Sequence, residues 1–337
     1  MSTPDLSSPA PTPAFPRPFG RQEGWMALCA LLLLLVSGHR MGIDRMSAMT
    51  GQAAVASVTG RDDSQVLRGL STLARRMVPI ALATREEAAR RPDIDPEHLP
   101  WGMHLEVETR KGERLNPETL RLEAHPVRVA MLVRPYGYVA EVAAKMLETI
   151  EIALWGTIIA LALGLPLALL GATNMAAPAP FRIAAHMVVA AFRAMPELVS
   201  ALFLVVAYGF GPIAGILALG LYAAGFIGKF FADDMENADP GPQRALIAGG
   251  AGRLAVWRFA ILPQVMPQFI AYTLYILDRN IRMATVVGLV GAGGIGQELK
   301  GRYDLYEYGH VATILIAIFL VVLALDQLSV RLRRHVL

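Results

Sequence analysis

Residues 198–228 read LVSALFLVVAYGFGPIAGILALGLYAAGFIG and hold no charged side chain over 31 positions. About 20 apolar residues in a helix already cross the hydrocarbon core of a bilayer. The run therefore exceeds one crossing. Gly209-Phe210-Gly211-Pro212 divides it, and because Gly and Pro end helices the stretch reads as two membrane spans joined by a tight turn.

The rest of the chain agrees with a membrane reading. Its 337 residues are 54% hydrophobic and 18% charged, against about 25% charged in soluble domains. Ile152 to Ala172 is free of charge, His310 to Leu325 ends at Asp326, and Trp25 to Val36 is dense in Leu and Ala. Pro263 to Gln297 is apolar around Asp278, Arg279 and Arg282. Six spans are expected, near 25–43, 147–170, 183–208, 213–231, 264–290 and 309–330. A cleaved signal peptide is disfavoured for the first, because Ala54-Val55-Ala56 lies about 20 residues beyond the apolar core, where a cleavage site should adjoin it.

Positive residues near short loops set orientation. With the first span starting inside, Arg17, Arg21, Arg182, Lys229, Arg244, Arg253, Arg258, Arg331, Arg333 and Arg334 are cytoplasmic; only Lys300 and Arg302 face out. Both termini are then cytoplasmic. The expected layout is a disordered tail over residues 1–22, a first transmembrane helix at 23–43, and an extracytoplasmic segment at 44–140. A transmembrane core at 141–334 follows, with a cytoplasmic loop at 232–263. In the extracytoplasmic part, Val66, Leu67, Leu70, Leu73, Met77 and Val78 recur at helical spacing. That helix either lies on the membrane surface or packs on the residues after it. His104 to Thr109 and Leu120 to Leu132 alternate around a turn at Lys111-Gly112, predicting a small β insertion of about three strands within 85–135.

Several functions are excluded by composition or context. A net charge of +3 is too weak to point to nucleic acid. One cysteine, Cys29, excludes a disulfide scaffold and a Cys-based zinc site, and the seven His are scattered, so no metal site or catalytic cluster is expected. Gly291-Ala292-Gly293-Gly294-Ile295-Gly296 fits G-x-G-x-x-G, but a span precedes it and Ile314 to Leu320 supply no acidic residue about 20 positions on. Those glycines suit an unwound turn or close helix approach. No G-x-x-x-x-G-K-[ST] occurs, so the chain has no P-loop of its own.

Charge inside a span costs about 2.5–3.5 kcal/mol on insertion scales and so faces a bundle interior or an aqueous path. Asp278, Arg282 and Thr285 share one face of the fifth span, flanked by Arg279 and Asn280. They either form a local Asp278–Arg282 pair that holds helices together or line a path whose guanidinium attracts an anion. For Arg193 and Glu197, four apart around Pro196, a local pair is the favoured reading. Between the fourth and fifth spans, short helices at Gln243–Ala248 and Arg253–Ala260 are predicted across Gly249-Gly250-Ala251-Gly252, an arrangement suited to docking in a partner's groove.

This loop resembles that of ABC importer permeases, E-A-A-x-x-x-G-x(9)-I-x-L-P. With the glycine at Gly250, Ala245 is the first alanine, Leu246 replaces the second and Leu262-Pro263 is the ending; Arg244 replaces the glutamate and Ala260 the isoleucine. Glu148-Thr149-Ile150, Arg193-Ala194-Met195-Pro196-Glu197-Leu198-Val199, Asn280-Ile281-Arg282 and Gly288 to Gly296 resemble the permease subunit of phosphonate or phosphite ABC importers. The resemblance implies an all-α, six-span, methionine-permease-like bundle carrying a small extracytoplasmic α/β insertion, in a bacterial inner membrane. It implies a homodimer, an ABC ATPase subunit that binds the ATP, and a periplasmic solute-binding protein, with no cofactor of the chain's own. Arg244, Ala245, Leu246, Gly250, Leu262 and Pro263 would form the ATPase-coupling loop. Arg282, Arg279, Asp278, Asn280 and Thr285 would be the substrate pathway. A methionine or quaternary-amine permease is the alternative within this class, although a cation would want aromatic or acidic lining. A membrane sensor would need a cytoplasmic output domain, which the short inner loops do not supply.

Overall fold

A computed structural model describes residues 21–59, 64–90, 94, 98–100, 102–115, 122–175 and 177–336. Positions 1–20 of the expected tail fall outside the described residues. The chain divides into two units, residues 1–75 and 76–337.

In the first unit, α1 (Arg21–Arg40) and α2 (Ile43–Thr59) meet at a 70° bend. Gly42, at φ +72°, turns the chain there. The sequence reading placed only an extracytoplasmic segment from residue 44, so α2 is an element it missed. The periodicity over Val66–Val78 corresponds to α3 (Gln65–Met77), where the Ser64 hydroxyl accepts from the Leu67 N–H at 3.4 Å.

The second unit opens with an antiparallel sheet in the order β1-β3-β2, formed by β1 (Thr84–Glu87), β2 (His104–Leu115) and β3 (Leu122–Arg134). The expected turn at Lys111-Gly112 is absent. β2 runs through it, pairing Gly112 with His125, because a glycine keeps its backbone N–H and C=O for the ladder.

Beyond the sheet the unit is helical: α4 (Gly137–Gly171), α5 (Ala179–Ala194), α6 (Glu197–Tyr208), α7 (Pro212–Asn237), α8 (Pro240–Ala248), α9 (Arg253–Val256), α10 (Leu262–Gly288), α11 (Gly294–Asp304) and α12 (Tyr308–Val336). Four described helices are long and apolar enough to cross a membrane; counting each bent pair as one span gives six. The span expected at 183–208 is one of those pairs. α5 and α6 meet at 90° because Pro196 lacks an N–H and pushes Met195 to an extended ψ of 121°.

α4 and α7 form the centre of the bundle, and small residues bring them together. A Cβ on Gly164 would lie 2.8 Å from Ile227, and one on Gly220 would lie 2.8 Å from Ile159. α10 packs on the same pair: Phe231 and Phe269 stack with centroids 3.7 Å apart beside buried Ala224, Ile227 and Val265. Leu315, Phe319, Leu320 and Leu323 of α12 stay exposed, as suits side chains whose solvent is lipid.

The second loop helix expected at Arg253–Ala260 does not stand apart from the fifth span. From Arg253 the chain winds on into α10 through a wider turn at Trp257–Ile261, in which the Leu262 N–H bonds to the Trp257 carbonyl. Pro263 has no N–H for Phe259, and the widened turn carries the helix past that gap.

Candidate functional site

Three features of α10 and its surroundings position the residues singled out in the sequence. The first is the polar segment 278–285. Successive helical residues are turned by about 100°, so adjacent side chains address different neighbours. Asp278, 8% exposed, accepts from the Arg282 guanidinium at 2.6 Å, and the same guanidinium donates to Asp326 of α12 at 2.9 Å. Arg279 instead donates to Glu197, the first residue of α6, and lies 4.6 Å from the Tyr222 ring centroid and 5.5 Å from that of Phe226. Asn280 is fully buried and donates to the Thr157 hydroxyl of α4 at 3.0 Å. Thr285 is partly buried, with its carbonyl tight against Gly296. The segment therefore ties α10 to α12, to α6 and α7, and to α4.

The sequence reading paired Arg193 with Glu197, and the structure corrects this. The break at Pro196 puts the two residues on different helices, so helical spacing no longer brings them together. Arg193 lies 5.1 Å from the Phe226 centroid, and its expected carboxylate belongs to Arg279. Arg193 has no ion-pair partner among the described residues.

The second feature is the glycine turn after α10. Gly291, Gly293 and Gly294 have φ of +94°, +85° and +68°, in the region that side chains disfavour. The turn reverses the chain into α11, whose first N–H groups find acceptors on α4: Gly294 donates to the Glu148 carboxylate at 3.0 Å and Ile295 to the Thr149 hydroxyl at 2.8 Å. Glu148-Thr149 and the first residues of α11, 146 positions apart in sequence, are thus two halves of one helix start. Further along α11, Arg302 donates to Glu298 and to Glu307, each at 2.7 Å. Burial works against its charge, but these two bonds outweigh that and raise its pKa above the ordinary guanidinium value.

The third feature is the loop expected to couple to a partner. Gly250, at φ +78°, closes α8: its N–H bonds to the Ile247 carbonyl at 3.0 Å and that of Ala251 to Leu246, also at 3.0 Å. This is the glycine-terminated cap that requires a left-handed residue. Arg244, Ala245, Gly250 and Pro263 are exposed, and Leu246 and Leu262 are partly buried. Gln264 fastens the loop to the span. Its side chain accepts from the Asp239 N–H at 2.9 Å and donates to the Ala260 carbonyl at 2.6 Å, while the Asp239 carboxylate caps α8 through Gly241. Neither Gln264 nor Asp326 has a partner readable from the sequence, since a contact across elements leaves no local pattern. Glu197 was noticed but given the wrong partner.

Residues 160–337, more than half of the chain, match the family described as the binding-protein-dependent transport system inner membrane component. The chain belongs to that family. This inner-membrane component is 52% identical over 260 residues to the putative phosphite transport system permease protein HtxE of Stutzerimonas stutzeri, covering 76% of the chain and 98% of the relative. It is 41% identical over 191 residues to the phosphite transport system permease protein PtxC of the same organism, covering 56% of the chain and 69% of that relative. Among solved structures, the MetNI methionine ABC transporter in an inward facing conformation aligns with a TM-score of 0.52 and 24% identity, over 58% of this chain and 96% of that one. An amino acid ABC transporter aligns with a TM-score of 0.51 and 18% identity, over 59% and 95%. The permease is thus a predominantly helical membrane protein with a methionine-permease-like fold.

Proposed function

We propose that this permease is the translocation subunit of an ATP-driven importer for a small phosphorus oxyanion, phosphite or phosphonate. The observation that carries the reading is the 52% identity to a putative phosphite permease over 98% of that relative's length. Two arginines within the apolar α10 agree with an anionic cargo, since a guanidinium offsets the desolvation of an oxyanion. The likeness to a methionine transporter carries the fold alone and does not favour methionine.

In this reading two copies of the chain form the pathway, with both termini cytoplasmic and residues 44–140 outside. A solute-binding protein delivers the anion from the periplasm, and the exposed loop around α8 seats in an ATPase subunit that binds the ATP. ATP-driven closure of the ATPases draws the two loops together and opens the bundle outward; hydrolysis returns it inward. The chain contributes no covalent chemistry. The polar segment Asp278, Arg279, Asn280, Arg282 and Thr285 supplies the charged part of the path and the contacts that hold it. Arg244 in place of a loop glutamate calls for an acidic group on the ATPase.

The test is co-purification with the ATPase subunit, followed by ATP hydrolysis in proteoliposomes with the loaded binding protein. Phosphite or methylphosphonate should stimulate hydrolysis; stimulation by methionine and not by either anion would overturn the cargo. Gly250→Glu, which places a charged side chain at φ +78°, should release the ATPase. Full retention on co-purification would remove the loop from the interface.

A further inference from the structure

We infer that Arg279 is the group of this pathway that contacts the transported oxyanion, and that Glu197 is a built-in competitor which the oxyanion replaces. The inference rests on the anionic cargo proposed above. The sequence puts Arg282 first among the pathway residues with Arg279 beside it, but their surroundings differ in the number of acidic partners. Arg282 is held between two acidic side chains, Asp278 and Asp326, which together occupy its donors and leave little for an approaching anion. Around Arg279 the count is reversed. Arg279 and Arg193 both lie against the Phe226 ring, and Glu197 is the one carboxylate paired with either among the described residues. That neighbourhood carries a net positive charge next to apolar and aromatic walls, where the field is screened least.

Two further observations favour Arg279. One of its terminal nitrogens, Nη1, is buried and has no hydrogen-bond partner, so the guanidinium holds donor capacity that the resting pair leaves unused. A tetrahedral oxyanion presents several acceptor oxygens and matches the guanidinium fork. The existing partner, Glu197, is the first residue after the 90° break at Pro196. Any shift of α6 against α10 at that break withdraws Glu197 from Arg279. The exchange of one carboxylate for one oxyanion leaves the site's charge nearly unchanged. It avoids both a naked buried cation before the solute arrives and a deep anion trap after it leaves.

The deciding experiment uses the complete importer in proteoliposomes with labelled phosphite, reading uptake and ATP hydrolysis together. Removing Arg279 alone would strand Glu197, so the informative variant is the double change Glu197→Gln/Arg279→Gln, which keeps a hydrogen-bonding pair without charge. Its phosphite uptake should fall at least tenfold, and by a larger factor than its hydrolysis stimulated by the loaded binding protein. ATP consumed per anion moved then rises at least threefold. If uptake and hydrolysis fall in step, or if uptake persists within twofold, the assignment is overturned. Should the double variant not assemble, Arg193→Gln, on an exposed residue, carries the test: uptake per ATP should fall about threefold, and an unchanged ratio overturns the assignment. A wild-type importer that hydrolyses ATP for another solute and moves no phosphite or methylphosphonate would refute the cargo itself, a result visible before any variant is made.

Discussion

Arg279 and Arg282 sit three residues apart on one helix, yet they occupy opposite electrostatic settings. Arg282, 43% exposed on its side chain, is saturated by Asp278 and Asp326 and joins α10 to α12. Arg279 has one carboxylate partner, Glu197, lies with Arg193 against the same Phe226 ring, and keeps a buried nitrogen unused. Equal residue types in one polar segment therefore do not imply equal roles. What separates them is the number of opposite charges that neighbouring helices contribute.

The sharpest way to break this contrast is Arg279→Gln alone. It leaves the Glu197 carboxylate, 7% exposed, without its cation, and removing one partner of a buried pair costs about 3–5 kcal/mol. The expected outcome is a large loss of folded protein in detergent, recovered when Glu197→Gln is added. Equal thermal stability of the single and double variants would mean that the pair is not buried in the membrane. A smaller effect is expected at Asn280→Ala, which removes one hydrogen bond to the α4 hydroxyl of Thr157 while that hydroxyl keeps its bond to the Ala153 carbonyl: about 0.5–1.5 kcal/mol of stability, read from thermal unfolding. If this change instead reduces uptake with stability intact, Asn280 faces the solute and not α4. The smallest effect belongs to Asp326→Asn. That half-exposed contact to Arg282 is worth about 0.2–1 kcal/mol, and uptake should change less than twofold. A strong gain in uptake would show that relieving Arg282 of one carboxylate makes it an anion contact too, and the distinction between the two arginines would fail.

Legibility in the sequence followed the physics of each signal. Long apolar runs gave the helices α4, α7, α10 and α12, and the helical spacing of Val66 to Met77 gave α3, because both patterns are local. The break at Pro196 was visible as a proline, but the surrounding run is apolar on both sides, so hydropathy alone joined α5 to α6. That single omission also produced the wrong partner for Glu197. α2 was missed because Ile43–Thr59 mixes Ala and Met with Asp44 and Arg45 and lacks a strong apolar stripe. In the candidate site, residue identities were readable while their pairing was not. Asp326, Gln264 and Thr157 act across 44, 25 and 123 positions, and spacing carries no information at that range. The glycine turn was legible as an unwound segment, and its acceptors Glu148 and Thr149 were noticed only as part of a resemblance.

The attachment made by Gln264 has a mechanical consequence. Gln264 grips the start of α8 near one end of α10, and Arg279 lies fifteen residues further along the same helix, about 22 Å away at 1.5 Å per residue, with Pro267 between them. The loop and the arginine are therefore carried by one helix. Pro267 is the point between them at which α10 can bend, so a displacement of α8 would pass to the Glu197–Arg279 contact through that one flexible turn.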